Sequence, residues 1–186
     1  MEGINFTKKL GILDKVLSGQ KTMFRLVSRK RGDRLYNNTK FRVGQKIAIL
    51  QPYSDIGLNP LHICSIIDDE GARTPAFAKD TPGWSKASSA DPSLMPHCIE
   101  ITGVKTENVQ DISDRDCLLE GIVPVDTQNL LTLDGNMPFE GYSLDGKSWI
   151  GDTPQEVFAA ISNKVIKKDV WVNNKMVDVY EFKLVK

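Results

Sequence analysis

Short β-type segments, separated by connections rich in glycine, proline and asparagine, recur along this chain and constrain its fold most. Thr22–Val27 and Cys98–Val104 are rich in β-branched, aromatic or aliphatic residues with strand-like patterning, which predicts strands. The other strand candidates are Ile4–Thr7, Lys46–Leu50, His62–Ile67 and Met176–Val185. No strand–helix–strand unit repeats between them. The pattern therefore predicts an α+β fold, a small mixed or antiparallel β-barrel with about three peripheral helices, and not a doubly wound parallel sheet.

Three segments predict the peripheral helices. Gly11–Ser18 carries an apolar face about two turns long. Ser113–Glu120 begins with a serine N-cap, and Asp116 three residues later makes a variant of the capping box. Thr153–Glu156 offers a threonine cap, proline at the first helical position and glutamate at the third, which predicts a helix that ends near Lys164. The residues that this last helix is expected to bury are Val157, Phe158 and Ile161.

Length and composition limit the class of protein. With 186 residues, of which 40% are hydrophobic and 26% charged, the chain is long enough for a single domain over residues 1–186, and general disorder is excluded. No apolar run approaches the ~18 residues of a membrane helix, so no membrane partner is predicted. No apolar block follows Lys8 and Lys9, and the three cysteines lack disulfide spacing, so a cytoplasmic protein is expected.

Neither a metal site nor a cofactor is predicted. His62, Cys64, His97, Cys98 and Cys117 are residue types that bind zinc, but their spacings are not those of a finger or ribbon. Cysteines are also common in protein cores. The sequence contains no glycine-rich phosphate loop and no nucleophile elbow.

Positive charge is concentrated at the start of the chain although the net charge is zero. Residues 1–46 contain twelve Lys and Arg against three acids, and one positive face of this kind attracts phosphates. Arg29, Lys30, Arg31 and Arg34 lie in a polar stretch with Tyr36, which predicts contact with a nucleic-acid backbone and stacking of Tyr36 on a base. A solvated loop with no partner is the alternative that the charges alone leave open.

Four stretches, in this order, carry a family resemblance: Val16–Thr22, Phe41–Gly44, Val109–Gly121 and Val179–Phe182. Together they resemble the ASCH domain of the PUA-like superfamily, in the longer version of phages and prophages. The match spans nearly the whole chain, with loop-rich insertions at about 51–95 and 122–152. The resemblance implies a PUA-like β-barrel with a cleft that binds RNA or a nucleotide. Some small bacterial members are amidohydrolases that remove the acyl group from N4-acetylcytidine, and some members are reported as ribonucleases.

The resemblance also implies a site. Lys21 matches the lysine of the family, Glu120 its helix glutamate and Arg25 an arginine of its basic run. These three residues would line the cleft, with Lys21 contacting a phosphate or carbonyl oxygen and Glu120 accepting hydrogen bonds from an exocyclic amine. The alternative is an ion pair between Lys21 and Glu120 that fixes the predicted helix 113–120 to the barrel.

Catalysis is the second hypothesis for the same residues. In an amidohydrolase acting on an N-acylated, modified nucleoside, Lys21 would be the base and Glu120 would orient the substrate. The threonine that serves as the proposed nucleophile in such relatives is Phe24 here, and the next arginine position is Leu26. Thr22 shares a strand face with Phe24 and could point into the cleft, but it lies two strand positions away, so we do not expect it to replace that nucleophile. RNA or nucleotide binding is therefore the expected function, with hydrolysis or protein interaction through residues 68–96 as alternatives.

Overall fold

The computed structural model of the chain describes residues 1–28, 39–58, 65–67, 73–75, 81–126, 140–146 and 150–185. Its helices are α1 (Ile12–Leu17), α2 (Asp114–Leu119) and α3 (Pro154–Val165). Its strands are β1 (Glu2–Ile4), β2 (Met23–Val27), β3 (Lys46–Ile49), β4 (Ser65–Ile67), β5 (Arg73–Pro75), β6 (Cys98–Asn108), β7 (Val123–Asp126), β8 (Glu140–Ser143) and β9 (Met176–Val185). The fold is mixed α+β, and the three predicted helices are confirmed. None of the helices in these ranges is long and apolar enough to cross a membrane.

The described residues form two compact units, and the first comprises parts of 1–6, 46–99 and 185–186. Here β1 pairs in parallel with β3, and the amide of Ile49 donates to the carbonyl of His97, just before β6, at 2.9 Å. A small core of Ala48, Tyr53, Ala90 and Met95 lies beside the partly buried Trp84. In this unit, part of the predicted loop-rich insertion at about 51–95 thus packs against β3.

The second unit comprises parts of residues 7–45 and 100–184. Its sheet has the order β6, β9, β2, and the antiparallel register of β2 and β9 pairs Phe24 with Tyr180 and Arg25 with Val179. β9 is buried on both faces from Val177 to Tyr180, a span that includes the charged Asp178. The hydrogen-bonded order of the described strands is open in each unit, so a mixed sheet is established here and a closed barrel is not.

Several boundaries differ from the sequence-based prediction. The first strand is Glu2–Ile4 and not Ile4–Thr7, because these are the residues that pair with Ile47–Ile49 of β3. β7 and β8 pair with each other inside the stretch expected to be loop-rich, although Pro124 is a poor strand residue. Of the predicted strand His62–Ile67, the last three residues form β4, and the others lie outside the described residues.

Candidate functional site

The structure brings Lys21, Arg25 and Glu120 together in the second unit. The Lys21 ammonium donates to the carbonyl oxygen of Glu120 at 2.9 Å and to its carboxylate oxygen Oε2. Arg25 donates through NH1 to the other carboxylate oxygen, Oε1, at 2.7 Å. Each of the three residues is less than one tenth exposed. Groups almost one hundred residues apart in the sequence therefore form one buried contact.

Local backbone structure explains this convergence. Lys21 lies two residues before β2 and four residues before Arg25. Because side chains alternate along an extended chain, both side chains point to the same face. The amide of Thr22 donates to the carbonyl of Leu119 at 2.9 Å, which ties the start of β2 to the end of α2. Gly121 follows with a φ of +98°, and a Cβ there would lie 3.4 Å from the Cβ of Lys21. A glycine thus allows the chain to turn closely against Lys21.

Three further residues complete the group, and we call Lys21, Arg25, Lys105, Glu107, Asp116 and Glu120 the ion cluster. Arg25 donates through NH2 to Glu107 at 2.9 Å and to Asp116 at 3.2 Å. Lys105 lies 2.8 Å from a carboxylate oxygen of each of the same two acids. Its side chain is 49% exposed, so it forms the solvent-facing edge of the cluster.

These additional members were missed by the sequence analysis for identifiable reasons. Asp116 was assigned to helix capping, and its amide does bond to the Ser113 hydroxyl at 3.1 Å, but its carboxylate faces Arg25 instead. Lys105 and Glu107 lie beyond the predicted end of β6, at Val104, whereas the strand continues to Asn108. Their i, i+2 spacing places them on one strand face and could have identified them.

Burial and charge shift the pKa values of the cluster in opposite directions. Burial lowers the pKa of Lys21, although the neighbouring Glu120 carboxylate opposes that change. Burial would also lower the pKa of Arg25, but Glu120 and Glu107 outweigh it and raise the value. Burial acts to raise the pKa of Asp116, but Lys105 and Arg25 together hold it below its ordinary value. With three cations and three carboxylates, the ionised cluster is formally neutral.

Arg25 is enclosed on its apolar side as well. Its guanidinium carbon lies 5.5 Å from the centre of the Phe158 ring, a cation–π contact, and its side chain has no solvent exposure. Phe158 is held there by α3, whose predicted capping box between Thr153 and Glu156 is formed in full. The buried Nε of Arg25 has no hydrogen-bond partner among the described residues. One donor of the cluster is therefore left for another acceptor.

Phe24 faces away from the ion cluster. Its ring stacks on Tyr180 with centroids 5.0 Å apart and contacts Phe41 and Phe182. Because neighbouring strand residues point to opposite faces, Phe24 and Arg25 lie on different sides of the sheet, and alternation places Thr22 with Phe24. Phe24 thus does not fill the space between Lys21 and Glu120, and it supplies no hydroxyl there.

The predicted basic rim lies outside the described residues: Arg29, Lys30, Arg31, Arg34 and Tyr36. Its role in backbone contact stays a prediction. Of the cysteines that the structure describes, Cys117 is buried, and burial raises the pKa of its thiol to about 12. In the described ranges, no group of three or more His, Cys, Asp or Glu is arranged to hold a metal ion.

Comparison of the chain with protein-family models, with curated proteins and with solved structures gives no match. The ASCH resemblance therefore rests on the four sequence motifs and stays a prediction. What the site can bind therefore depends on the residues of the ion cluster.

Proposed function

We propose that the chain recognises a nucleobase, in RNA or in a free nucleotide, at the ion cluster. The proposal includes a PUA-like barrel of ASCH type, which the four motifs support. It also includes the cytoplasm as the compartment, which the cysteine spacing favours. The observation that carries it is the Glu120 carboxylate, held in a fixed orientation by Lys21 and Arg25.

A carboxylate in this setting suits a nucleobase edge. Its two oxygens offer about four acceptor positions, and the hydrogen bonds to Lys21 and Arg25 take one on each oxygen. The remaining positions can accept from the exocyclic amine of a base. The Nε–H of Arg25 is a further donor that has no partner among the described residues. The edge of a base presents both donors and acceptors, so it can use both kinds of group.

The charge balance favours a neutral polar group over a phosphate. The ionised cluster is neutral, and Lys21 is 5% exposed, with its ammonium engaged by Glu120. Lys21 is therefore poorly placed for the direct phosphate contact expected from the sequence. In this proposal Lys21 orients Glu120, and the basic residues Arg29, Lys30, Arg31 and Arg34 contact the phosphates.

The structural alternative is that the cluster only fixes α2 to β2. Removing one partner of a buried ion pair typically costs about 3–5 kcal/mol, so a lost partner could abolish binding merely by unfolding the chain. Glu120→Gln is the better variant, because the amide keeps the size of the side chain and one acceptor. Lys183→Met is the matched control, since Lys183 is 60% exposed and pairs with Glu100 outside the cluster.

The test measures binding of fluorescent single-stranded RNA by anisotropy, with thermal melting to confirm that each variant is folded. Glu120→Gln should weaken binding about tenfold, the value of one hydrogen bond to a charged group, whereas Lys183→Met should bind like the parent chain. A folded Glu120→Gln protein with unchanged affinity would contradict the proposal and leave the structural alternative.

Hydrolysis of an N-acylated nucleoside is a second candidate, favoured by one observation. Burial lowers the pKa of Lys21, which increases the fraction of neutral amine able to act as a base. Because Phe24 lies on the other face and lacks a hydroxyl, we expect no cytidine when the protein is incubated with N4-acetylcytidine and the products are separated by chromatography. Release of cytidine that Lys21→Met abolishes would establish the hydrolase instead.

A further inference from the structure

A pocket of about 420 Å³ lies beside the ends of β2 and α3, apart from the ion cluster. Its walls are Leu26, Val27, Ser28, Lys40, Ile166, Lys167 and Asp178. Leu26 and Asp178 are directly opposite each other in the β2–β9 register, so they lie on the face that Phe24 shares and Arg25 does not. A volume of this size is in the range of small-molecule sites.

Asp178 is the unusual member of this pocket. It is 8% exposed, and the structure pairs it with no cation among the described residues. The hydroxyls of Ser28, at 2.7 Å, and Thr106, at 3.0 Å, both donate to its Oδ1. Two donors on one oxygen fix the carboxylate and leave Oδ2 without a hydrogen bond from the described residues. Among the described residues this buried carboxylate has no counter-charge, and a buried charge is costly unless it is paired or hydrogen-bonded, so Oδ2 is available to accept from a ligand.

Two of the residues that line the same pocket are lysines. Lys40 and Lys167 both line it, both are exposed, and neither forms an ion pair with a described carboxylate. Lys40 lies over the Phe41 ring, with its ammonium 4.7 Å from the ring centre. The pocket thus offers one fixed hydrogen-bond acceptor and two exposed cationic residues, and its apolar lining residues include Leu26 and Ile166.

We propose that this pocket binds a nucleoside monophosphate whose base carries an exocyclic amino group. The amine donates to Oδ2 of Asp178, and the apolar wall covers the flat base. The phosphate lies near Lys40 and Lys167, where ammonium groups bind it as point charges. This site differs from the ion cluster in position and in residues, so the inference does not depend on the function proposed for that cluster.

The experiment is isothermal titration calorimetry of the intact chain with adenosine monophosphate. Two matched probes separate the contacts: purine riboside monophosphate lacks the amino group, and adenosine lacks the phosphate. We expect each to bind about tenfold more weakly than adenosine monophosphate. Failure of adenosine monophosphate to bind at millimolar concentration, or equal binding of all three probes, would overturn the proposal.

Two variants assign the binding to this pocket. In Asp178→Asn the hydroxyls of Ser28 and Thr106 still donate to the amide oxygen, so the NH2 group takes the position of Oδ2 and faces the ligand. A donor then meets the amine of the base, and the affinity for adenosine monophosphate should fall about tenfold or more. Lys167→Gln, at an exposed position, should weaken the nucleotide and leave adenosine unchanged. This second variant keeps the test decisive if Asp178→Asn fails to fold. Binding that is lost in Glu120→Gln but kept in Lys167→Gln would place the nucleotide at the ion cluster and refute the inference.

Discussion

Replacing Arg25 with methionine tests the energetic role of the ion cluster. The side chain of Arg25 has no solvent exposure and donates to Glu107, Asp116 and Glu120, at 2.7 to 3.2 Å. Methionine keeps much of the apolar stem but removes the charge and all three ion pairs. The three carboxylates then share only the ammonium groups of Lys21 and Lys105.

The size of the effect follows from these contacts. Breaking a buried ion pair by removing one partner typically costs about 3–5 kcal/mol, because the remaining charge stays buried without compensation. Lys21 still neutralises Glu120, and Lys105 still lies between the other two acids, so we expect a loss within that range and not a multiple of it. For a chain of this size, about 3–5 kcal/mol corresponds to a fall in the melting temperature of roughly 6–20 °C.

Urea denaturation followed by tryptophan fluorescence measures this loss directly. The control is Lys183→Met, which removes an exposed pair with Glu100 and should cost no more than about 1 kcal/mol. If Arg25→Met stayed within 1 kcal/mol of the parent chain, about the size of an exposed pair, the cluster would not be a desolvated ionic centre. Our reasoning about its buried charges would then be refuted.

Three further substitutions have expected outcomes. Because the pKa of Asp116 is lowered in the folded protein, its carboxylate stabilises the fold at pH values above 3.8, its ordinary pKa. That contribution is lost as the pH falls through the lower pKa of the folded state. Asp116→Asn should therefore flatten the acid limb of a profile of stability against pH, and an unchanged limb would count against this reasoning. At Gly121 the φ is +98°, and an added Cβ would contact Lys21. Gly121→Ala should therefore lower the free energy of unfolding by about 1 kcal/mol or more in the same denaturation assay. A neutral result would show that the turn relaxes. Phe24→Thr should lower the free energy of unfolding by about 3–5 kcal/mol, because Phe24 packs against Tyr180 and Phe182. The variant should produce no cytidine from N4-acetylcytidine. A gain of hydrolysis would mean that this position reaches the ion cluster.

Local sequence patterns predicted the elements whose own residues determine them. The helix from Pro154 to Val165 was found because its capping box and its buried face lie within a dozen neighbouring positions. The last strand, Met176–Val185, was also predicted, because its alternating pattern lies within ten neighbouring positions. β7 and β8 were missed, because each is stabilised by its partner and Pro124 argues against a strand.

The candidate site shows the same limit more sharply. Lys21, Arg25 and Glu120 were selected through a family resemblance, since no local pattern relates residues so far apart. The sequence assigns Asp116 to helix capping, and Lys105 and Glu107 lie beyond the predicted end of the strand at Val104. Their participation depends on the tertiary contact between α2, β2 and β6, which a single sequence does not display. The buried Asp178 carboxylate was missed likewise, because only the β2–β9 register and the hydrogen bond from Thr106 reveal its surroundings.

The most direct test of base recognition at the ion cluster is the RNA affinity of Glu120→Gln relative to the parent chain, measured from low to high salt. Phosphate contacts weaken as salt is added, whereas a buried hydrogen bond to a base is little screened. We predict an affinity ratio of about ten that stays constant while both absolute affinities fall. Equal affinities at every salt concentration would contradict the account and leave the ion cluster as a purely structural feature.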